Sequence, residues 1–504
     1  MVKLCNIENS YQFKIIFESK LDAINFINSF FTQIETIKVY NYKTKTWNYK
    51  TGKVEYLSNK ENEIYLHKGF LKTILNLFSI RKVVYELDAI LKALIEDAGI
   101  KILDKWYQHF SNHPKKHLNY DQYQIDTAKA IEKNRSGLIS LATGVGKGDI
   151  IAALVDSYLT QHSGNVVIIS YTNLLLNEIS LRLNKLGVID KSRIQYINPS
   201  SYFRSKKSES LEQIEWLKNV ELLIADEAHH MKTKSWQNMV ETIEPKYLYG
   251  FTGSGDIKHG NKIDVDLILN HNLTQQTLHM FDYLGECLIH VELQVPIHLV
   301  KVELNIVDKE YYKEWTKDNP TKLHQAASLT LQNPEFTREL IKIINEYVPQ
   351  DGIVFIPETT SINNGLTLCD QLNRAGIRTV YMSAAIQSSP IGEVSLTLKD
   401  LKGLAEKKAF RVLICNQVGV EGLDIAGINC VIPLSNKSFK MFAQPLGRAA
   451  RQDELTCVLV YDINNKLLIK QMETKEQYLK SKKYIIKSVK DINVKGQYNY
   501  GINF

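Results

Sequence analysis

From about residue 118 onward, short apolar runs punctuate longer amphipathic stretches. The runs are LISLA (138–142), VVIIS (166–170), LLIAD (222–226), YLYGFT (247–252), GIVFI (352–356), TVYMS (379–383), RVLICN (411–416), CVIPL (430–434) and CVLVYD (457–462). Runs this short and this apolar suit strands buried on both faces of a parallel sheet. The segments between them are long enough for crossover helices. One such helix carries its own start signal, in NPEFTRELIKIINEY: Asn333 caps it and Pro334 fits its first turn. Phe336, Leu340, Ile344 and Tyr347 then fall on one face. The pattern predicts an α/β fold.

The runs are too many for one ordinary sheet. The stretch HVELQVPIHLVKVELN (290–305) carries no phosphate or carboxylate motif and reads as a crossing between two lobes. The expected organisation is one α/β lobe at 118–292 and a second at 293–465. A small α+β domain at 1–117 precedes them, with a hairpin around 38–57, and a lysine-rich helical tail at 466–504 follows.

Composition narrows this picture modestly. The chain has 504 residues, 44% hydrophobic and 23% charged, which fits a globular protein of two or three domains. Six cysteines, at 5, 287, 369, 415, 430 and 457, include no C-x-x-C pair, so reduced thiols are expected rather than a zinc site or a disulfide framework. No apolar run approaches the ~20 residues that cross a bilayer, and the first residues lack a signal pattern. The expectation is a cytoplasmic protein with no membrane partner. A net charge of +7 permits a polyanionic partner, but alone it reads as solubility. No repeat of fixed period is present.

Candidate chemistry begins at LATGVGKGDIIAAL (141–154), where an apolar strand runs into glycines and a lysine before a helix. Such a loop binds phosphate through backbone N–H groups, which glycines let come close, and through the lysine charge. A Gly-Lys string alone is weak evidence; KTGKV (50–54) contains one and reads as a turn. The second element is LLIADEAHH, which sets Asp226 and Glu227 at the end of an apolar strand. One carboxylate there can hold a divalent cation and the other can activate water. The competing reading is a solvated acidic turn followed by surface histidines at 229 and 230.

These two elements, with others in the same order, resemble the superfamily 2 helicases. DEAH (226–229) resembles the hydrolysis motif of that family. Tyr123-Gln124 resembles the adenine-reading motif upstream of the loop. SYTNLLLNEI (170–179) resembles the first strand-contacting motif, with Thr172 at the backbone-phosphate position. FTGS (251–254) resembles the coupling motif, with Thr252 and Ser254 supplying hydroxyls. NQVGVEGLDI (416–425) and QPLGRAAR (444–451) resemble the motifs of the second lobe. The resemblance implies two tandem RecA-like domains, with parallel sheets flanked by helices, that bind ATP and Mg²⁺. It implies that Thr143, Gly144, Val145, Gly146, Lys147 and Gly148 cradle the phosphates, with Tyr123, Gln124, Asp424 and Gln444 also at the nucleotide. Asp226 would hold Mg²⁺ and Glu227 would activate water. Arg448 and Arg451, three apart and so on one helix face, would neutralise charge in the transition state as arginine fingers do.

The chain departs from the family at three places. Gly148 removes the hydroxyl that usually ligates Mg²⁺ in this loop. Water can fill that place beside Asp226, Asp149 can help, or ATP can bind with weak hydrolysis. The first is preferred, because Asp226, Glu227, Arg448 and Arg451 are all retained. Asn416 stands where threonine is usual, a mild change, since both can hydrogen-bond. Asp121 stands where many relatives carry arginine, which puts adenine selectivity in question.

Within the family, the chain resembles the phage recombination helicases, including a basic, aromatic hairpin near the amino terminus. Lys43, Lys45 and Trp47 lie in it, so lysines can meet phosphates while aromatics stack on bases. A solvated hairpin with a half-buried aromatic face explains the same residues equally well. The resemblance implies a monomeric DNA motor acting on single-stranded, forked or junction DNA with 3′ to 5′ polarity, in a bacterial host's cytoplasm if phage-encoded. The alternatives are a duplex translocase, an RNA-directed ATPase, or an ATP-binding scaffold whose hydrolysis is weakened by Gly148.

Overall fold

A computed structural model of the chain describes residues 2–7, 12–23, 26, 32–41, 46–55, 58–60, 63–68, 71–80, 82–96, 98–114, 118–142, 144–188, 190, 192–204, 211–253, 283–285, 287–291, 295–319, 326–348, 353–357, 362–382, 387–388, 398–415, 427–434, 446, 454–481 and 486–493. The chain divides into two compact units, Met1–Leu141 with Val145–Val291, and Ala142–Gly144 with Glu292–Phe504.

The first unit opens with seven strands: β1 (Val2–Asn6), β2 (Gln12–Ile16), β3 (Thr32–Asn41), β4 (Thr46–Glu55), β5 (Ser58–Lys60), β6 (Glu63–His67) and β7 (Tyr85–Leu87). Five of them form a small sheet in the order β5-β6-β2-β1-β7. Alternate residues such as Phe13, Ile15, Ile64 and Leu66 point to one face and are buried. Leu71, Ile74 and Phe78, from a helix after β6, join the same core, which continues into Leu138, Val167 and Leu223. Strands β3 and β4 form the expected hairpin, with Tyr40 opposite Trp47 and Lys38 opposite Tyr49. The KTGKV string lies inside β4 and not in a turn, with Gly52 opposite Glu35. Ladder pairing of its β-forming neighbours carries the strand through the glycine.

A parallel sheet follows, built from β8 (Ser136–Leu141), β9 (Asn165–Ile169), β10 (Ile194–Ile197), β11 (Val220–Asp226), β12 (Tyr247–Thr252) and β13 (Cys287–Val291). Its order is β10-β9-β11-β12-β8-β13. Every residue of β12 is buried, as expected for a strand covered on both faces. The helices that matter for the site are α1 (Asp104–Ser111), α2 (Tyr120–Lys133), α3 (Lys147–Gln161) and α4 (Asn173–Lys185).

The second unit carries β14 (Ile297–Leu304), β15 (Ile353–Pro357), β16 (Thr379–Met382), β17 (Gln387–Ser388), β18 (Val412–Cys415), β19 (Ile428–Val431), β20 (Leu455–Asp462) and β21 (Ile486–Asn493). They form one sheet in the order β17-β16-β18-β15-β19-β20-β14-β21, parallel except for β17. Helix α5 (Pro334–Tyr347) begins as expected: the Asn333 side chain accepts the Glu335 N–H at 2.9 Å. Phe336, Leu340 and Ile344 are buried and Tyr347 is half-buried.

Two expectations need correction. Residues 290–305 are not a plain crossing: their ends complete β13 and form β14, a strand of the second sheet. The tail is not helical throughout. It forms helix α6 (Lys466–Ser481) and then β21, which pairs with β14 along its length. In both cases a sheet edge offers backbone partners that sequence periodicity does not reveal. Buried Lys475 of α6 donates to the carbonyls of Pro433 and Leu434, at 3.1 and 2.7 Å, and burial pushes its pKa down to about 7. Among the described residues, no helix is long and apolar enough to cross a membrane.

One buried carboxylate fastens the second sheet. Asp462, at the end of β20, accepts the N–H groups of Ile306, Val307 and Asn464, each at 2.9 Å. Asp462→Ala should orphan these donors and destabilise the chain by on the order of 3 kcal/mol, read from the denaturant midpoint. An unchanged midpoint would show that water replaces the carboxylate.

Candidate active site

The ends of β8, β11 and β12 carry the site. Strand β12 lies between the other two in the sheet, so its carboxyl end is flanked by the glycine loop after β8 and the acidic turn after β11. In open parallel sheets this is the edge at which ligands bind.

Gly144 and Gly146 adopt φ of 96° and 97°, in the left-handed region that glycine enters freely. At Gly146 the space is also taken. A Cβ there would lie 2.1 Å from Nε2 of Gln124, which donates to the Val145 carbonyl at 2.8 Å. Gln124, wholly buried on α2, therefore reaches the loop, while Tyr123 beside it is half-buried. The turn leaves Lys147 as the first residue of α3.

The Lys147 ammonium lies 3.4 Å from Glu227 Oε1 and 4.0 Å from Asp226 Oδ1. Both carboxylates are buried, which rules out the solvated acidic turn. Glu227 sits at φ 57° and ψ 49°, a left-handed conformation that costs a non-glycine residue about 1–3 kcal/mol. That strain turns the chain sharply out of β11 and into the 3₁₀ turn Ala228–Lys232.

His229 is not a surface histidine. It is 1% exposed, and its Nδ1 lies 3.2 Å from Glu227 Oε2 and 3.2 Å from the Thr252 hydroxyl. It joins the acidic turn to the end of β12. Only its place in the DEAH string marked it beforehand; its burial was invisible. His230 stacks on Tyr171, with centroids 4.1 Å apart and planes 1° from parallel. Tyr171 precedes Thr172, whose hydroxyl accepts the Leu175 N–H at 3.2 Å and caps α4. The Thr172 hydroxyl can still donate outward.

Asp149 is committed elsewhere. Arg182 Nε donates to one carboxylate oxygen at 2.7 Å, and His109 Nε2 lies 3.4 Å from the other. The geometry therefore does not offer it as the replacement for the missing loop hydroxyl. Among the described residues, no group of three or more His, Cys, Asp or Glu is placed to hold a metal ion. One carboxylate together with phosphate oxygens is the usual Mg²⁺ arrangement at such sites.

Two family models match the chain. Residues 95–254 match the family model described as "Type III restriction enzyme, res subunit". Residues 335–453 match the "Helicase conserved C-terminal domain". The chain belongs to the superfamily 2 helicases. This helicase is 23% identical over 377 residues to the "Putative ATP-dependent RNA helicase L396" of Acanthamoeba polyphaga mimivirus, covering 71% of this chain and 66% of that protein. It is 22% identical over 400 residues to "Putative helicase 22" of a Sulfolobus islandicus filamentous virus, covering 73% and 68%. Among solved structures, T4 UvsW aligns over 98% of this chain and 99% of its own, at 14% identity and a TM-score of 0.40. S. cerevisiae Dbp5 bound to RNA and ADP BeF3 aligns over 71% and 85%, at 13% identity and a TM-score of 0.44.

Several residues singled out in the sequence lie outside the described residues: Thr143, Ser254, Asp424, Gln444, Arg448 and Arg451, with Asn416, Lys43 and Lys45. Trp47 lies in β4 opposite Tyr40.

The acidic turn should leave a pH signature. Burial raises the Asp226 carboxyl from 3.8 to about 6; the Lys147 ammonium opposes the rise and Glu227 adds to it. A carboxyl raised in the folded state contributes stability below its unfolded value and loses it as pH rises through the folded value. In nucleotide-free and metal-free protein, Asp226→Asn should therefore gain stability over the wild type as pH rises from about 4 to about 6 and keep that gain above it, by on the order of 1–3 kcal/mol. Parallel melting curves across that range would refute a desolvated Asp226.

Proposed function

We propose that this helicase is an ATP-driven motor on DNA, acting on forked or junction substrates during recombination, repair or replication restart. The observation that carries the ATP chemistry is the Lys147 ammonium, held by two buried carboxylates at the head of a helix that starts on a glycine turn. A triphosphate draws that ammonium and the N–H groups of the loop. When the lysine turns to phosphate, Asp226 and Glu227 need another cation. Mg²⁺ fits that demand, with Asp226 as its carboxylate, and when bound it neutralises charge on the phosphates. Glu227 then accepts the proton of the attacking water. Its left-handed backbone aims it and His229 orients it.

His229 also touches Thr252, so a change at the acidic turn is felt at the end of β12. This contact is assigned to coupling, together with Ser254. The Tyr171–His230 stack carries the same change to Thr172 and α4, where Thr172 contacts a nucleic-acid backbone. The buried Gln124 Oε1 has no hydrogen-bond partner among the described residues, which suits the exocyclic amine of adenine. Arg448 and Arg451 complete the neutralisation of the transition state, with Gln444 and Asp424 beside the nucleotide. The β3–β4 hairpin, with Lys43, Lys45 and Trp47, binds strands by stacking and phosphate contact. We assign the motor 3′ to 5′ polarity, action as a monomer, and a cytoplasmic location in the host of a phage.

An RNA substrate is the second reading, favoured by the likeness to the mimivirus protein, which is named as an RNA helicase. Steady-state phosphate release decides between them, measured alone and with single-stranded, duplex and forked DNA and with RNA. Forked DNA should stimulate most. Glu227→Gln should lower the stimulated rate about 10²-fold or more, as removal of a general base does, and Lys147→Ala should abolish it. Stimulation by RNA alone would overturn the DNA assignment. Absence of any stimulation would leave an ATP-binding scaffold.

A further inference from the structure

Gly148 occupies the position at which the family resemblance places a hydroxyl. A Cβ at that position would lie 3.3 Å from Cγ of Arg182 and 4.0 Å from its Nε. Arg182 belongs to α4, which packs against α3. Beyond residue 148 its Nε donates to Asp149 Oδ1 at 2.7 Å, and a second guanidinium nitrogen pairs with the same oxygen. The Asp149 side chain is only 8% exposed, and His109 of α1 faces its other oxygen. The carboxylate two residues after Lys147 is thus held from two helices, and a side chain at 148 would press on the arginine stem, which would have to give by a few tenths of an ångström.

The pair lies at a junction. Asp149 is two residues from Lys147, in the first turn of α3. Arg182 lies on the helix capped by Thr172 and preceded by Tyr171, whose ring stacks on His230. Net stability is a poor reason for the pair, because the Arg182 side chain is 42% exposed and such pairs contribute little. Geometry is the better one. A planar guanidinium holds a carboxylate at a set distance and angle, which a lysine cannot do.

We infer that Arg182 is a positioning residue. With Asp149 it forms a strut that sets the first turn of α3, and with it Lys147, relative to α4, and Gly148 is the room the strut requires. The absent hydroxyl is then the condition for a second tie between the nucleotide loop and the strand-contacting helix. This inference rests on the ATP-driven reading above.

A double-mutant cycle on the full chain tests it, with Gly148→Ser, Arg182→Ala and the pair combined. The readouts are affinity for a fluorescent ADP in the presence of Mg²⁺, and melting temperature. Gly148→Ser alone should weaken ADP binding about threefold or more, and the double variant should bind at least about threefold tighter than the product of the single effects, as for residues in contact. Arg182→Lys, which keeps the charge and loses the fork, should behave like Arg182→Ala. Single effects on affinity that simply multiply, or coupling seen in melting temperature alone, would overturn the strut. A wild-type chain that binds no ADP would overturn the ATP reading, and the strut with it.

Discussion

One ammonium between two buried carboxylates governs the rest of the first unit. Removing three charges from water is expensive unless each meets its opposite at close range. The Lys147, Asp226 and Glu227 side chains come from two separate strand ends, so the sheet must bring those ends together before the charges can compensate one another. The remaining features follow from that demand. A glycine turn places the lysine at a helix start. A left-handed glutamate lets the acidic turn fold back on its strand. A buried histidine lies 3.2 Å from the second oxygen of that glutamate.

Strand order converts this compensation into a device. Because β12 separates β8 from β11, its last residue, Thr252, lies where the glycine loop and the acidic turn flank it. His229 touches both Glu227 and Thr252, so its contacts depend on the charge balance at the turn. A second line leaves the same turn through the His230–Tyr171 stack and ends at the cap of α4. Elements far apart in sequence thus share one small group of side chains.

Much of this was legible in advance. Each of the nine apolar runs contributes to a strand, and the Asn333 cap and its helix are where their pattern put them. Period and residue type suffice for such elements because burial on both faces leaves few ways to place an apolar run. The last two strands on one side of the second sheet were less legible. Strands β14 and β21 carry alternating or charged residues and hold their places through backbone pairing, which leaves little trace in side-chain pattern. KTGKV was misjudged for the same reason, since pairing across the hairpin outweighs the preference of a single glycine.

The sequence by itself determined which residue types could do the chemistry, and their order along the chain. That follows because phosphate loops and paired acids need particular atoms at close spacing. Tertiary structure alone decided their state. Only the packed sheet shows that the DEAH carboxylates and His229 are buried, that Glu227 is left-handed, and that Asp149 pairs with Arg182. Burial, backbone handedness and choice of ionic partner all depend on neighbours distant in sequence, and a one-dimensional pattern does not contain them.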